Sequence, residues 1–94
     1  MDLIAFEAQL QAEGYTVVTT VTQPPGYQMG EHAHAFDACA LITQGDFSIT
    51  VGGVARHYAT GEIFRLPAGT LHTESAGAQG VAYRAGRRSQ ESSS

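Results

Sequence analysis

Three histidines and the spacing between them carry most of the chemistry this sequence offers. His32 and His34 stand two apart within Tyr27–His34, a stretch that reads as extended chain. Alternate side chains of a strand leave the same face about 6–7 Å apart, so two imidazoles at this spacing can converge on one ion. His72 belongs to another strand-like run, Thr70–Ser75. Imidazole nitrogens ligate zinc, iron, nickel, copper or manganese, and two of them leave open positions around the ion. Water or substrate enters at such positions, as a catalytic or ligand-binding metal requires. The fourth histidine, His57, lies in a separate run ending at Tyr58 and reads as a surface or interface residue.

The elements that must hold these residues are mostly strands. Asp2 to Glu13 is the exception: Leu3, Phe6 and Leu10 recur at helical spacing, with Ile4 and Ala8 widening the stripe. Asp2 suits an N-cap and Gly14 a C-terminal stop. From Tyr15 to Thr22 the chain turns to β-branched residues, which fit a pleated surface and lose entropy in a helix. Pro24, Pro25 and Gly26 end that strand. Short runs follow at Tyr27–His34, Phe36–Thr43, Asp46–Val51, Val54–Tyr58, Glu62–Leu66, Thr70–Ser75 and Gly80–Ala85. Gln44-Gly45, Gly52-Gly53 and Thr60-Gly61 read as the turns, and Gly52-Gly53 is a hairpin signal because a two-residue primed turn needs positive φ. Seven or eight short strands without intervening helices imply an all-β antiparallel sandwich or barrel.

Two spaced sets of residues resemble the paired motifs of the cupin superfamily. Gly26, His32, His34 and Gly45 match G-x5-H-x-H-x3,4-E-x6-G; Gly61, Pro67, Gly69 and His72 match G-x5-P-x-G-x2-H-x3-N. The connection between them is short, as in small single-domain bacterial members. The resemblance implies a small jelly-roll-like antiparallel β-barrel with one short N-terminal helix, divided as helix 1–14, barrel 15–86 and a disordered tail 87–94. It also implies metal ligation by His32, His34 and His72. Two positions depart from the pattern: the glutamate of the first motif falls on Ala38 and the asparagine of the second on Ala76. Asp37, Glu74 or water is left to complete the coordination. Asp37 needs a bulge after His34 to turn inward, whereas Glu74 shares parity with His72. Gln28, in phase with the first two histidines, is a further polar candidate for the cavity wall.

The rest of the composition narrows the function. Ninety-four residues serve one core, and nine acids against five arginines and no lysine give a net charge of −4. That is not the footprint of a nucleic-acid binder, and no apolar run approaches the roughly 20 residues of a membrane span. A lone cysteine, Cys39, closes no intrachain disulfide and reads as a small hydrophobe among Ala38 and Ala40. With no basic, apolar leader at the start, the expected address is cytoplasmic. Apolar residues at both parities of Ala38-Cys39-Ala40-Leu41-Ile42 suggest burial on two faces, hence a homodimer. Tyr27, Phe36, Phe47, Phe64 and Tyr83 read as core or dimer surface, and Arg65 as either a solvated residue or an anion contact.

The expected function is a metal-binding barrel holding a divalent transition metal, with a small organic molecule at the open positions. The resemblance implies a range of dioxygenase, isomerase, decarboxylase and lyase chemistry, with Glu74, Asp37 and Tyr27 as candidate proton carriers. The alternative is a non-catalytic small-molecule binding or sensing barrel.

Overall fold

The computed structural model describes residues 2–89. Helix α1 spans Leu3–Ala12, and the Asp2 side chain accepts the Ala5 N–H at 2.7 Å. That bond satisfies one of the donors a helix start leaves open. Phe6 and Leu10 are buried, whereas Leu3 and Ile4 face solvent, so the contact stripe is narrower than the sequence implies. Six strands follow: β1 (Val17–Gln23), β2 (Gln28–His32), β3 (Phe36–Val51), β4 (Val54–Ala59), β5 (Ile63–Leu66) and β6 (His72–Ser89). Among the described residues no helix is long and apolar enough to cross a membrane.

Two long strands organise the molecule. β3 and β6 pair antiparallel from Phe36↔Ser89 to Thr50↔Thr73, with register breaks between Ile42 and Gln44 and between Gly45 and Phe47. Before the breaks β3 also pairs with β5, and the matching part of β6 pairs with β1. Beyond them β3 pairs with β4 and β6 with β2. The ladder therefore bends at its middle and supplies both halves of a jelly-roll-like barrel. Gln44-Gly45 is part of this bend and not a turn between separate strands, and the expected gap between Ser75 and Gly80 is likewise continuous strand. The bend depends on glycine. Gly45 (φ +74°) and Gly80 (φ +79°) approach so closely that a Cβ on Gly45 would collide with the Gly80 carbonyl oxygen. The Gly52-Gly53 hairpin forms as its sequence implies, with Val51 paired to Val54.

Side-chain parity along the long strands sorts the core into two layers. Ala40, Ile42, Phe47, Ile49, Phe64, Leu66, Val81 and Ala85 fill the barrel interior. Cys39 and Leu41, with the opposite parity, pack outside against Phe6, Leu10 and Tyr15. Helix α1 thus covers the second apolar face of β3, which the sequence alone assigns to a dimer partner. Each large side chain buried this way is worth about 1.5–3 kcal/mol. Polar contacts fasten the same layer: Arg84 Nε donates to Glu7 at 2.8 Å, Arg65 to Glu13 at 2.9 Å, and Arg88 to the Glu13 carbonyl. Strand β6 pairs through Ser89, so Arg87–Ser89 belong to the barrel and not to a tail. The remainder of the expected tail lies outside the described residues.

Candidate metal centre

His32, His34 and His72 meet at one end of the barrel. The imidazole ring centres lie 4.9 Å (His32–His34), 4.3 Å (His32–His72) and 5.3 Å (His34–His72) apart. His32 closes β2 and His72 opens β6, where the two are register partners. His34 follows in the β2–β3 connection, where its carbonyl accepts the Gly69 N–H at 2.9 Å. That bond ties the turn preceding His72 to the segment bearing His34, which gives Pro67 and Gly69 their positioning role.

The fourth member is Glu74, two residues after His72 on the same face of β6. Its Oε2 lies 2.8 Å from His72 Nε2, 3.3 Å from His32 Nε2 and 3.8 Å from His34 Nε2. One donor atom from each of the four residues falls within 4.8 Å of all the others. The cluster therefore holds a carboxylate from β6, where the first motif has its glutamate at position 38 on β3. Asp37 does not reach the cluster. The chain leaves strand between His32 and Phe36, and on β3 Asp37 faces outward, where Oδ1 accepts the Ala68 N–H at 2.8 Å and Oδ2 accepts from Arg88 at 3.0 and 3.2 Å. It is a structural anchor and is removed from the candidate ligands and proton carriers. Gln28 is turned out as well: the register slips between Met29 and His32, which changes the phase and leaves Gln28 exposed.

The donor set fits a cation. His32 Nδ1 lies 2.7 Å from the Gly30 carbonyl and His72 Nδ1 2.9 Å from the Thr70 carbonyl. Each Nδ1–H donates there, which leaves the Nε2 lone pair aimed inward, the arrangement by which backbone carbonyls orient metal-ligating histidines. The His32 Nε2 is buried with no hydrogen-bond partner. Glu74 Oε2 is likewise an acceptor, so where the inward nitrogens present lone pairs they conflict with the carboxylate unless a proton or a cation lies between them. A positive charge between them removes the conflict. At His34 burial, followed by the neighbouring His32, lowers the imidazole pKa against the opposing pull of Glu74, a direction that favours the neutral ring.

A cleft of about 250 Å³ adjoins the cluster and is lined by His34 and Glu74 together with Tyr27, Phe36, Ala38, Phe64, Tyr83 and Arg87. The Tyr27 hydroxyl donates to Glu74 Oε1 at 3.4 Å. Burial, then the Glu74 charge, raises the Tyr27 pKa. A larger groove of about 440 Å³ lies elsewhere, along Ile49, Val54, Arg56 and Pro67, and contains none of the four cluster residues. Of the expected aromatic core, Phe47 and Phe64 are buried, while Tyr27, Phe36 and Tyr83 line the cleft. Arg65 is engaged by Glu13. His57 is exposed and bonds to Asp46 at 2.6 Å. Cys39 is buried under the helix, and burial raises its thiol pKa, which suits a hydrophobe and not a nucleophile.

The family profile described as Cupin domain matches residues 19–81. The chain belongs to the cupin family. No curated protein matches its sequence. Among solved structures, KdgF from a Halomonas species superposes with a TM-score of 0.68 at 21% identity, covering 80% of this chain and 69% of that one. The cupin domain of Schizosaccharomyces pombe Cnp3 gives a TM-score of 0.70 at 17% identity, covering 78% and 55%. A cupin 2 conserved barrel protein from Salinispora arenicola gives 0.67 at 20%, covering 78% and 62%. This cupin thus spans less than two thirds of the second and third of these neighbours. At such identities the likeness shows the fold alone, and function has to be argued from the site.

Proposed function

We propose that this cupin holds a divalent transition metal through His32, His34, His72 and Glu74 and binds a small organic ligand in the adjoining cleft. The observation that carries the reading is the convergence of four donors within 4.8 Å of one another, with the His32 Nε2 buried and unpartnered. Zinc, iron, nickel, manganese and copper all accept three imidazoles and a carboxylate. Bound there, such an ion supplies Lewis acidity or, for a redox-active metal, electron transfer to a ligand at an open position. The chain's own contribution is orientation and proton placement. Thr70 and Gly30 carbonyls fix two imidazoles, and the Tyr27 hydroxyl, held on Glu74, is the proton carrier nearest the cluster.

A second reading, a binding or sensing barrel without turnover, is favoured by one observation. Among the described residues Glu74 is the sole carboxylate lining the cleft, and a metal ligand is not free to act as a general base. Elemental analysis of tag-free protein tests the metal. The expected result is near-stoichiometric transition metal, lost in His32→Ala and His72→Ala. Protein that holds none, even after addition of zinc, iron, nickel, copper and manganese, overturns the metal reading. Oxygen uptake or isomerisation by loaded protein then separates the enzyme from the sensor. A cytoplasmic address remains part of this proposal, as does a homodimer. The exposed Val51, Val54 and Leu71 support the dimer, and light scattering at about twice 9.9 kDa is its expected signature.

A further inference from the structure

The arginines of β6 divide by parity. Arg84 and Arg88 point outward, where Glu7 and Asp37 neutralise them. Arg87 has the parity of Val81, Tyr83 and Ala85 and lines the cleft with Tyr83 and Ala85. Its guanidinium lies 4.6 Å from the centre of the Phe36 ring, a cation–π contact that restrains it. Among the described residues no carboxylate pairs with it. Its register partner across the ladder is Ala38, the position at which the cupin pattern places a glutamate. Directly opposed residues stand about 4.5–5.5 Å apart at Cβ, so a glutamate at 38 would neutralise Arg87. With the carboxylate supplied from Glu74 instead, Arg87 keeps an uncompensated positive charge at the wall of the cleft.

We propose that the cleft takes a small carboxylate, whose anionic end pairs with Arg87 and whose second oxygen function points at the histidine cluster. The orientation of that second oxygen rests on the metal reading above; the Arg87 contact does not. The Phe36 ring centre is 4.9 Å from that of His34, so guanidinium and imidazole are at most about 9.5 Å apart, the 4.6 and 4.9 Å steps laid end to end. A chain of roughly four to six carbons spans that gap. The volume agrees: at about 30 Å³ per water in the liquid, 250 Å³ holds about eight non-hydrogen atoms. Phe36, Phe64, Leu66 and Ala38 make the walls apolar, which suits an alkyl body. Among the described residues the Tyr83 hydroxyl has no hydrogen-bond partner, and it offers a donor to the ligand's oxygen.

The probe is 4-oxopentanoate, compared with its uncharged analogue hexane-2,5-dione, titrated calorimetrically into metal-free and zinc-loaded protein. Wild type should bind the acid saturably and at least tenfold more tightly than the dione. Arg87→Gln should weaken the acid by about 10- to 100-fold, the worth of a charge-assisted pair, and leave dione binding and zinc affinity unchanged. Arg87→Lys should recover part of the loss. Ala38→Glu, which sets a carboxylate beside an intact Arg87, should abolish acid binding. Acid binding that is undetectable in wild type, equal to the dione, or indifferent to Arg87→Gln overturns the proposal. Arg87-dependent binding of the acid in protein that takes up no zinc upholds the anion site and overturns the metal reading instead.

Discussion

Replacing Glu74 by glutamine should have opposite effects on the metal-free and the metal-loaded protein. The wild-type carboxylate oxygen lies 2.8 Å from His72 Nε2, whose other ring nitrogen already donates to the Thr70 carbonyl. The glutamine amide keeps the shape and supplies an N–H of its own to donate to that nitrogen, a hydrogen bond worth about 1 kcal/mol. For a domain of this size that raises the metal-free melting temperature by about 4–8 °C. In zinc the order reverses. The variant loses an anionic ligand, and a loss of at least about 100-fold in affinity removes about 2.7 kcal/mol of ligand-linked stability at saturating metal. The zinc-induced gain should therefore shrink by more than about 10 °C. Scanning calorimetry with chelator and with excess zinc, beside a chromophoric-chelator competition, reads both effects. Zinc binding as tight as wild type, or a metal-free variant less stable than its parent, refutes the assignment of Glu74.

Acid should release the metal. Zinc needs neutral imidazoles, so affinity should hold at pH 7 and fall as pH drops below the ordinary histidine range, measured by the same chelator competition. In metal-free protein the lowered His34 pKa means that the folded state binds its proton less readily than the unfolded chain. The stability linked to it is therefore present above the unfolded value and lost as pH falls through the folded one. Asp37→Ala should cost about 2–3 kcal/mol in urea denaturation, because it leaves the Ala68 N–H without its acceptor and Arg88 with the Glu13 carbonyl alone. That is below the full cost of breaking a buried pair, since the Arg88 side chain is 41% exposed. Zinc stoichiometry should be unchanged in that variant; a loss of zinc from a stably folded Asp37→Ala would return the residue to the ligand set.

The short-range features were legible in the sequence because each depends on neighbours along the chain. Asp2 caps its helix, the β-branched run after Tyr15 makes β1, and Gly52-Gly53 makes a hairpin. The residues of the histidine triad were legible for a different reason: spacings that resemble a family pattern stand in for contacts between distant strands. What the sequence could not supply was the geometry of the β3–β6 ladder. Whether Gln44-Gly45 is a turn or a bend in one long strand depends on Gly80 lying across from it. The apolar residues at both parities of Ala38-Cys39-Ala40-Leu41-Ile42 pointed to burial on two faces, but only the packed fold shows that α1 covers one of them.

The choice between Asp37 and Glu74 shows the same division. Both lie near positions the pattern names, and the sequence offers both as carboxylates, Glu74 in phase with His72 and Asp37 only through a bulge. Strand parity decides between them, because one residue's shift turns a side chain to the other face of the sheet. On β3 Asp37 takes the parity of Cys39 and Leu41 and turns toward Arg88, while on β6 Glu74 follows His72 inward by two. Sequence determined which residue types were available to make a metal centre and an anion contact. Tertiary structure decided which of them share an interior, because metal ligation and ion pairing act over a few ångströms between atoms that lie up to 77 residues apart along the chain.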